Sequence, residues 1–261
     1  MFKFFNNFIY FIAPILTKNK YIYLLLNFIQ KNSFIFLPHE KDFYGFLNFY
    51  SPDSYGLFLD VGANYGQSAK GFIKLFRNWK VLSIEADNNF EKDLKKIKSS
   101  HKKNFDFILK ACTNESGKII DIFTPIKNNI YVSGETSINL DFLNIEKENK
   151  IIQKNKTSTI KIDDLSINPN IVKLDIESSE HLAIEGMLDT IKRNKPIILC
   201  EYNEINFEKV SKLLTDYNCY LYDYMSNSFS KNIDNFFIKN KTNKLPGRNL
   251  FFLPNNINFK I

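Results

Sequence analysis

Apolar and polar positions alternate along this chain in blocks of two kinds. Short apolar runs of strand length fall near residues 57–61, 80–85, 105–110, 171–175, 196–201, 219–223 and 249–253. Segments with helical periodicity lie between them, near 66–77, 88–99, 178–192 and 204–216. Strands alternating with helices predict a mostly parallel sheet covered on both faces. Two runs depart from the alternation: Gly117–Phe123 predicts an extra strand after the turn at Asn114–Gly117, and Thr157–Ile162 another. Between them Thr124–Lys156 is polar, Asn- and Lys-rich and weakly periodic. A stretch of that kind inside a compact domain covers a site or lacks fixed order. Asp223–Lys244, polar as well, predicts a surface excursion.

Before the first strand, Met1–Leu16 and Tyr21–Leu37 are rich in Phe, Tyr, Ile and Leu. Asn6, Asn7, Pro14, Lys18 and Lys20 interrupt the first run, and Gln30-Lys31-Asn32 the second. Neither reaches the roughly 18–20 apolar residues that span a bilayer. Residues 1–50 are therefore expected to form a helical segment packed on the core, and 51–261 a single catalytic domain. Peripheral attachment through an aromatic-rich amphipathic helix is the alternative for the first segment.

The first strand is the most informative. Leu57-Phe58-Leu59 meets an acid at Asp60 and, after Val61, breaks into a turn with glycines at Gly62 and Gly66 before a helix. Glycine lets such a turn take unusual dihedrals and brings bare backbone close to a ligand. No Gly-Lys-Ser/Thr follows, and the Gly62-x-x-x-Gly66 spacing differs from G-x-G-x-x-G. The second strand, Lys80–Glu85, ends in an acid, about 20 residues past the turn, where α/β nucleotide folds hold ribose hydroxyls. This pair of strands predicts an S-adenosylmethionine site, with the loop at the methionine part, Asp60 near the ammonium and Glu85 on the ribose.

Composition narrows the function classes only slightly. The 261 residues are 44% hydrophobic, enough for one full core, and the net charge is +7. The positive charge is scattered over Lys92–Lys103, Lys147–Lys161 and Lys231–Lys244 and does not interleave with aromatics, so no nucleic-acid partner is expected. Cys112, Cys200 and Cys219 sit in or beside apolar runs without metal spacing and are expected to be reduced, buried thiols of a cytoplasmic protein. His101 and His181 each stand alone.

A second run, Ile171-Val172-Lys173-Leu174-Asp175-Ile176-Glu177-Ser178-Ser179-Glu180, presents Lys173, Asp175 and Glu177 at a strand's carboxyl end. Ligands bind at that end in open α/β sheets. Asp175 is the expected catalytic carboxylate, a Lys173–Asp175 or Lys173–Glu177 ion pair its structural counterpart. A divalent ion shared by Asp175 and Glu201 is an open alternative.

Together with Ile84-Glu85-Ala86-Asp87, Ile160–Leu165, Pro196–Glu201 and Asn249–Pro254, these runs resemble the FkbM-type methyltransferases. The resemblance implies a class I, Rossmann-like seven-stranded sheet and S-adenosylmethionine as cofactor. It also implies methylation of a hydroxyl, on a sugar of a surface glycan (capsule, lipopolysaccharide or similar) or its precursor. By position it puts Asp60, Gly62, Asn64, Gly66 and Ser68 in the methionine-side loop, Glu85 on the ribose and Ala86, Ala111 and Cys112 beside the adenine. Lys173, Asp175, Glu177 and Glu201 would ring the transfer pocket, and Thr136-Ser137-Ile138 lies where the family often has a Ser/Thr pair. One departure is visible: Ser178 stands where the family usually has Gly. The rival expectations are a methyltransferase-like scaffold without catalysis and a Rossmann-type nucleotide-sugar or NAD enzyme. Against the latter stands the absence of both G-x-G-x-x-G and Tyr-x-x-x-Lys.

Overall fold

The computed structural model describes residues 41–127, 130–132, 136–139, 151–202, 204–231 and 249–257. Met1–Leu37, and with it the expected N-terminal helices, lies outside them. The main sheet contains β1 (Leu57–Val61), β2 (Lys80–Glu85), β3 (Phe105–Leu109), β8 (Ile171–Leu174), β9 (Ile197–Glu201), β10 (Tyr217–Asp223), β11 (Ser228–Ser230) and β12 (Asn249–Pro254), in the order β11-β10-β12-β9-β8-β1-β2-β3. The five strands from β3 to β9 are parallel, and β12, β10 and β11 follow antiparallel. The expected strand set is present, with the short edge strand β11 making eight rather than seven.

Alternation along each strand builds two cores. Phe58, Ile171, Leu199 and Phe251 point to one face, where they meet Phe72 of α1 (Gln67–Leu75) and Leu94 and Ile97 of α2 (Glu91–Ser100). Leu59, Val61, Val172 and Ile198 point to the other, against α3 (Glu180–Glu185), α4 (Leu188–Asn194) and α5 (Glu204–Leu213). Helices therefore cover both faces. One helix was expected over 178–192, but the chain breaks at Gly186 into α3 and α4. A Cβ on Gly186 would lie 2.1 Å from the Thr113 carbonyl oxygen, so the break is where backbone passes against backbone.

The segment before β1 belongs to the first core. Residues Lys41–Asn48 form a 3-10 helix whose Phe43 and Phe46, three apart, fall on one side and are fully buried. The Phe43 ring meets Phe58 and Phe72 edge-on at 5.6 and 5.8 Å, and Phe46 meets Phe251 at 5.3 Å.

A second sheet, order β4-β7-β5-β6, is made from β4 (Ala111–Cys112), β5 (Ile119–Lys127), β6 (Ile130–Tyr131) and β7 (Ile151–Ile160). Its antiparallel β5–β7 ladder runs from Ile119–Ser158 to Ile126–Ile151. Both ends of the polar stretch expected to be irregular are thus strand. Lys154, Asn155 and Lys156 carry no apolar alternation because this ladder has much polar, solvated surface, with Lys154 paired to Asp121 at 2.8 Å. Asp223–Lys244 begins with the turn into β11, and 232–248 lie outside the described residues. Among the described residues no helix is long and apolar enough to cross a membrane.

Because Phe46 is sealed between the 3-10 helix and the sheet, Phe46→Ala should destabilise the fold by about 3–5 kcal/mol, the cost of a large buried aromatic cavity. Chemical denaturation of the full chain checks this, and a loss below about 1 kcal/mol would mean that residues 41–48 are dispensable to the core.

Candidate active site

Strands β2, β1, β8 and β9 present their carboxyl ends side by side, and a cleft of about 240 Å³ opens there. One end is built by the turn after β1. Its backbone takes positive φ at Gly62 (86°), Asn64 (50°) and Gly66 (73°). The Gly62 and Ala63 amides donate to the Ile84 carbonyl at 2.9 and 3.2 Å, and the Asn64 amide donates to Glu85 Oε2 at 2.7 Å. Glu85 Oε1 accepts from the Asp87 amide at 2.8 Å. Glu85 is therefore held by backbone on both oxygens, each of which keeps a further lone pair toward the cleft. Burial pushes its carboxyl from 4.5 up to about 7, with the charges of Asp87 and Asp60 adding to the rise and the two amide bonds opposing it.

Gly62 and Gly66 take the unusual dihedrals expected of them, and each is also needed for close packing. A Cβ on Gly62 would lie 1.8 Å from the Asp175 carbonyl oxygen, and one on Gly66 2.2 Å from Ile97 Cδ1. The first glycine lets β1 pass the end of β8, and the second lets α1 sit on α2. Gly62→Val would therefore break the junction itself rather than close a ligand slot.

Asp60, Ser68 and Gly66 do not line the cleft. Asp60 is fully buried and accepts from Ser83 Oγ at 2.9 Å, Ser68 is buried in α1, and Gly66 caps that helix. Ala86, Ala111 and Cys112 do line it, with Ile122 of the accessory sheet closing the same apolar slot. Burial pushes the Cys112 thiol up, so it is neutral there.

At the other end Asp175, Glu177 and Glu201 each bring a carboxylate oxygen within 4.8 Å of the other two. Lys173, 1% exposed, lies beneath them and donates from Nζ to Asp175 Oδ2 at 2.7 Å, and the strand register sets it beside Asp60. Lys173 therefore supports the pocket without lining it. Burial, then the charges of Asp175 and Glu177 and a hydrogen bond with Asp175, hold the Glu201 carboxyl well above the usual range.

The loop carrying Glu177 is under backbone strain. Glu177 and Ser178 take φ of 50° and 75°, a region that favours glycine. The Gly-to-Ser departure thus falls on a left-handed residue. Glu180, 1% exposed, clamps the loop: Oε1 accepts from the Ile176 and Ser178 amides at 3.1 and 3.3 Å, and Oε2 accepts from Asn206 Nδ2 at 2.8 Å.

The accessory sheet closes the cleft from above. Thr136, Ser137 and Ile138 form part of its wall, and Ser137 Oγ donates to the Glu177 carbonyl at 2.8 Å. Tyr131 donates from its hydroxyl to Asp87 and accepts from Thr124 Oγ1 at 3.0 Å. The same sheet is thus fastened to the loops after β2 and β8. Gln67, Lys110 and Ser179 also line the cleft. None of them was expected in the site, although Ser179 belongs to the Ile171–Glu180 run and each follows a strand's carboxyl end, which was the available signal. His181 is half-buried and outside the wall, and His101 ends α2.

The family described as the methyltransferase FkbM domain matches residues 60–241. The chain belongs to the FkbM methyltransferase family. Methyl transfer from S-adenosylmethionine is the family's chemistry, and the fold and cofactor implied by the motifs stand at that level. A similar solved structure is methyltransferase FkbM from Methylobacillus flagellatus KT, 16% identical, with TM-score 0.50 over 80% of this chain and 47% of that one. This chain thus spans about half the length of that relative. Precorrin-6y C5,15-methyltransferase from Geobacter metallireducens GS-15 is 9% identical (TM-score 0.41, 81% of this chain and 84% of that). Aeropyrum pernix fibrillarin, with natively bound S-adenosyl-L-methionine, is also 9% identical (TM-score 0.42, 78% and 69%). No curated protein matches.

Two outcomes are expected of this FkbM-family site. Between about pH 4.5 and 7 the unfolded chain has released the Glu85 proton while the folded chain keeps it, so stability falls as pH rises through that window. Glu85 alone accounts for about 3 kcal/mol of the fall, and Glu85→Gln should remove that part from a series of denaturation curves taken across those pH values. Ser178→Gly removes left-handed strain of about 1–2 kcal/mol but adds unfolded-chain entropy worth about 0.4–1, so a net gain near 1 kcal/mol in melting experiments is expected.

Proposed function

We propose that this protein transfers the methyl group of S-adenosylmethionine to a hydroxyl of a sugar in a surface glycan or its precursor, as a cytoplasmic O-methyltransferase. The observation that carries the reading is one cleft with a backbone-held Glu85 at one end and three converging carboxylates at the other. The residues fit the cofactor. Glu85, once ionised above about pH 7, offers two acceptors for the ribose hydroxyls, the Gly62–Asn64 backbone lies beside them for the methionine part, and Ala86, Ala111, Cys112 and Ile122 make a slot for the adenine. S-adenosylmethionine supplies an electrophilic methyl on a sulfonium.

The chain's own part is alignment and proton removal. Orienting donor and acceptor in one cleft is worth about 7–11 kcal/mol over a free encounter, and a general base adds about 10²–10⁴-fold. Asp175 is ion-paired, which suits it to hold the acceptor hydroxyl rather than to take its proton. Glu201, with its raised pKa, is the better base, since a carboxyl of ordinary pKa is too weak near neutrality. Thr136, Ser137 and Ser179 give that end hydroxyl partners suited to a polyol. The sugar and its surface-glycan setting rest on the family resemblance. Three free cysteines, two of them buried, accord with a reducing compartment.

Mass spectrometry of surface glycans from cells with and without this gene tests the acceptor: loss of a methyl ether from one sugar is expected, and an unchanged glycan profile would remove the sugar reading. In vitro, Glu201→Gln and Asp175→Asn should each lower turnover by at least about 10²-fold while S-adenosylmethionine affinity by calorimetry stays within a few-fold. Activity that vanishes with EDTA and returns with Mg²⁺ would reassign the three carboxylates to an ion.

A further inference from the structure

A second cleft, of about 280 Å³, lies apart from the first and is lined by Tyr44, Leu47, Asn48, Tyr222, Tyr224 and Asn227. It is built where the 3-10 helix over Lys41–Asn48 crosses the end of β10. Its chemistry is aromatic faces with planar amides. The Tyr44 and Tyr224 rings stand 5.0 Å apart at 48°, and Tyr224 is 39% exposed. Asn227 Oδ1 accepts from the Tyr222 hydroxyl at 2.7 Å and from Asn48 Nδ2 at 3.2 Å. Asn48 Nδ2 also donates to the Gly45 carbonyl at 3.1 Å. Among the described residues the side-chain Nδ2 of Asn227 and Oδ1 of Asn48 have no hydrogen-bond partner, leaving one donor group and one acceptor group beside the rings. Asn227 takes φ 50°, a left-handed turn conformation in which asparagine is enriched, and the bonds from Tyr222 and Asn48 hold its side chain.

An aromatic face beside a fixed donor and acceptor matches a pyranose, which has an apolar C–H face and an equatorial belt of hydroxyls. The place matches too. Asn249 of β12 is paired with Glu201, and continuing the β12–β10 ladder beyond Phe251–Tyr220 brings Tyr222 level with Asn249. The second cleft therefore lies on the same sheet edge as the carboxylates, two strands away, roughly 10 Å at the backbone. Asn249 Nδ2 bonds Asp42 Oδ2 at 2.8 Å and fixes the 3-10 helix between the two sites.

We propose that this cleft is a sugar subsite, taking one pyranose ring of the acceptor other than the ring that is methylated. It rests on the reading of the first cleft as a sugar methylation site, but its test does not. Saturation-transfer NMR on the full chain, without cofactor, would use methyl α-D-glucopyranoside, methyl β-D-galactopyranoside and methyl α-L-rhamnopyranoside as probes. At least one should receive saturation, with affinity lowered about tenfold or more in Tyr224→Ala and recovered in Tyr224→Phe, where the ring is kept. The melting temperature and S-adenosylmethionine affinity of both variants should match wild type. No transfer to any probe, or equal affinity in wild type and Tyr224→Ala, overturns the subsite. Loss of probe binding in Glu201→Gln but not in Tyr224→Ala also overturns it, while leaving sugar methylation in place. Failure to bind S-adenosylmethionine would instead count against the first cleft.

Discussion

The buried ammonium of Lys173 is the constraint on which the cleft is built. A charge taken out of water costs several kcal/mol unless it is paired, and Asp175 at 2.7 Å supplies the pairing. That bond turns the Asp175 carboxylate back toward β8 and partly neutralises it, so Glu177 and Glu201 can approach. Without the ammonium, three carboxylates this close would repel one another or take up protons. Burial first, and then the charges of Asp175 and Glu177, hold the Glu201 carboxyl above its ordinary pKa.

The strand ends were legible because chemistry there interrupts a regular pattern. Leu57–Val61 and Ile171–Leu174 are largely apolar runs with an acid at or just past the end, and parallel strands bury both faces, so periodicity and termination coincide. Glu85, Asp175, Glu177 and Glu201 could be found in this way. Asp60 and Lys173 follow the same sequence logic, yet they sit under the cleft, because the strand register pairs them side by side below its floor. A single sequence carries no register. The accessory sheet was legible in part: Gly117–Phe123 and Thr157–Ile162 read as strands, but their extensions to Lys127 and back to Ile151 did not, because Gln153–Lys156 form a ladder with much polar surface.

Lys41–Asn48 illustrates how tertiary packing chooses among helical forms. Phe43 and Phe46 are three residues apart, and a 3-10 helix aligns that spacing on the flat aromatic floor made by Phe58, Phe72 and Phe251. The same short element carries Tyr44, Leu47 and Asn48 on its outer side, so core packing on one side sets the surface on the other.

The Asp175 carbonyl occupies the space where a Gly62 side chain would be. The turn after β1 and the end of β8 are consequently one mechanical part, without a hinge between them. Changes in the 175–179 loop will be felt at the turn after β1, and effects of substitutions on the two sides will not add. The accessory sheet meets this part through side-chain hydrogen bonds rather than interlocked backbone. The upper wall of the cleft, with Ile122 and Thr136–Ile138, can therefore change in sequence while the joined loops beneath it stay rigid.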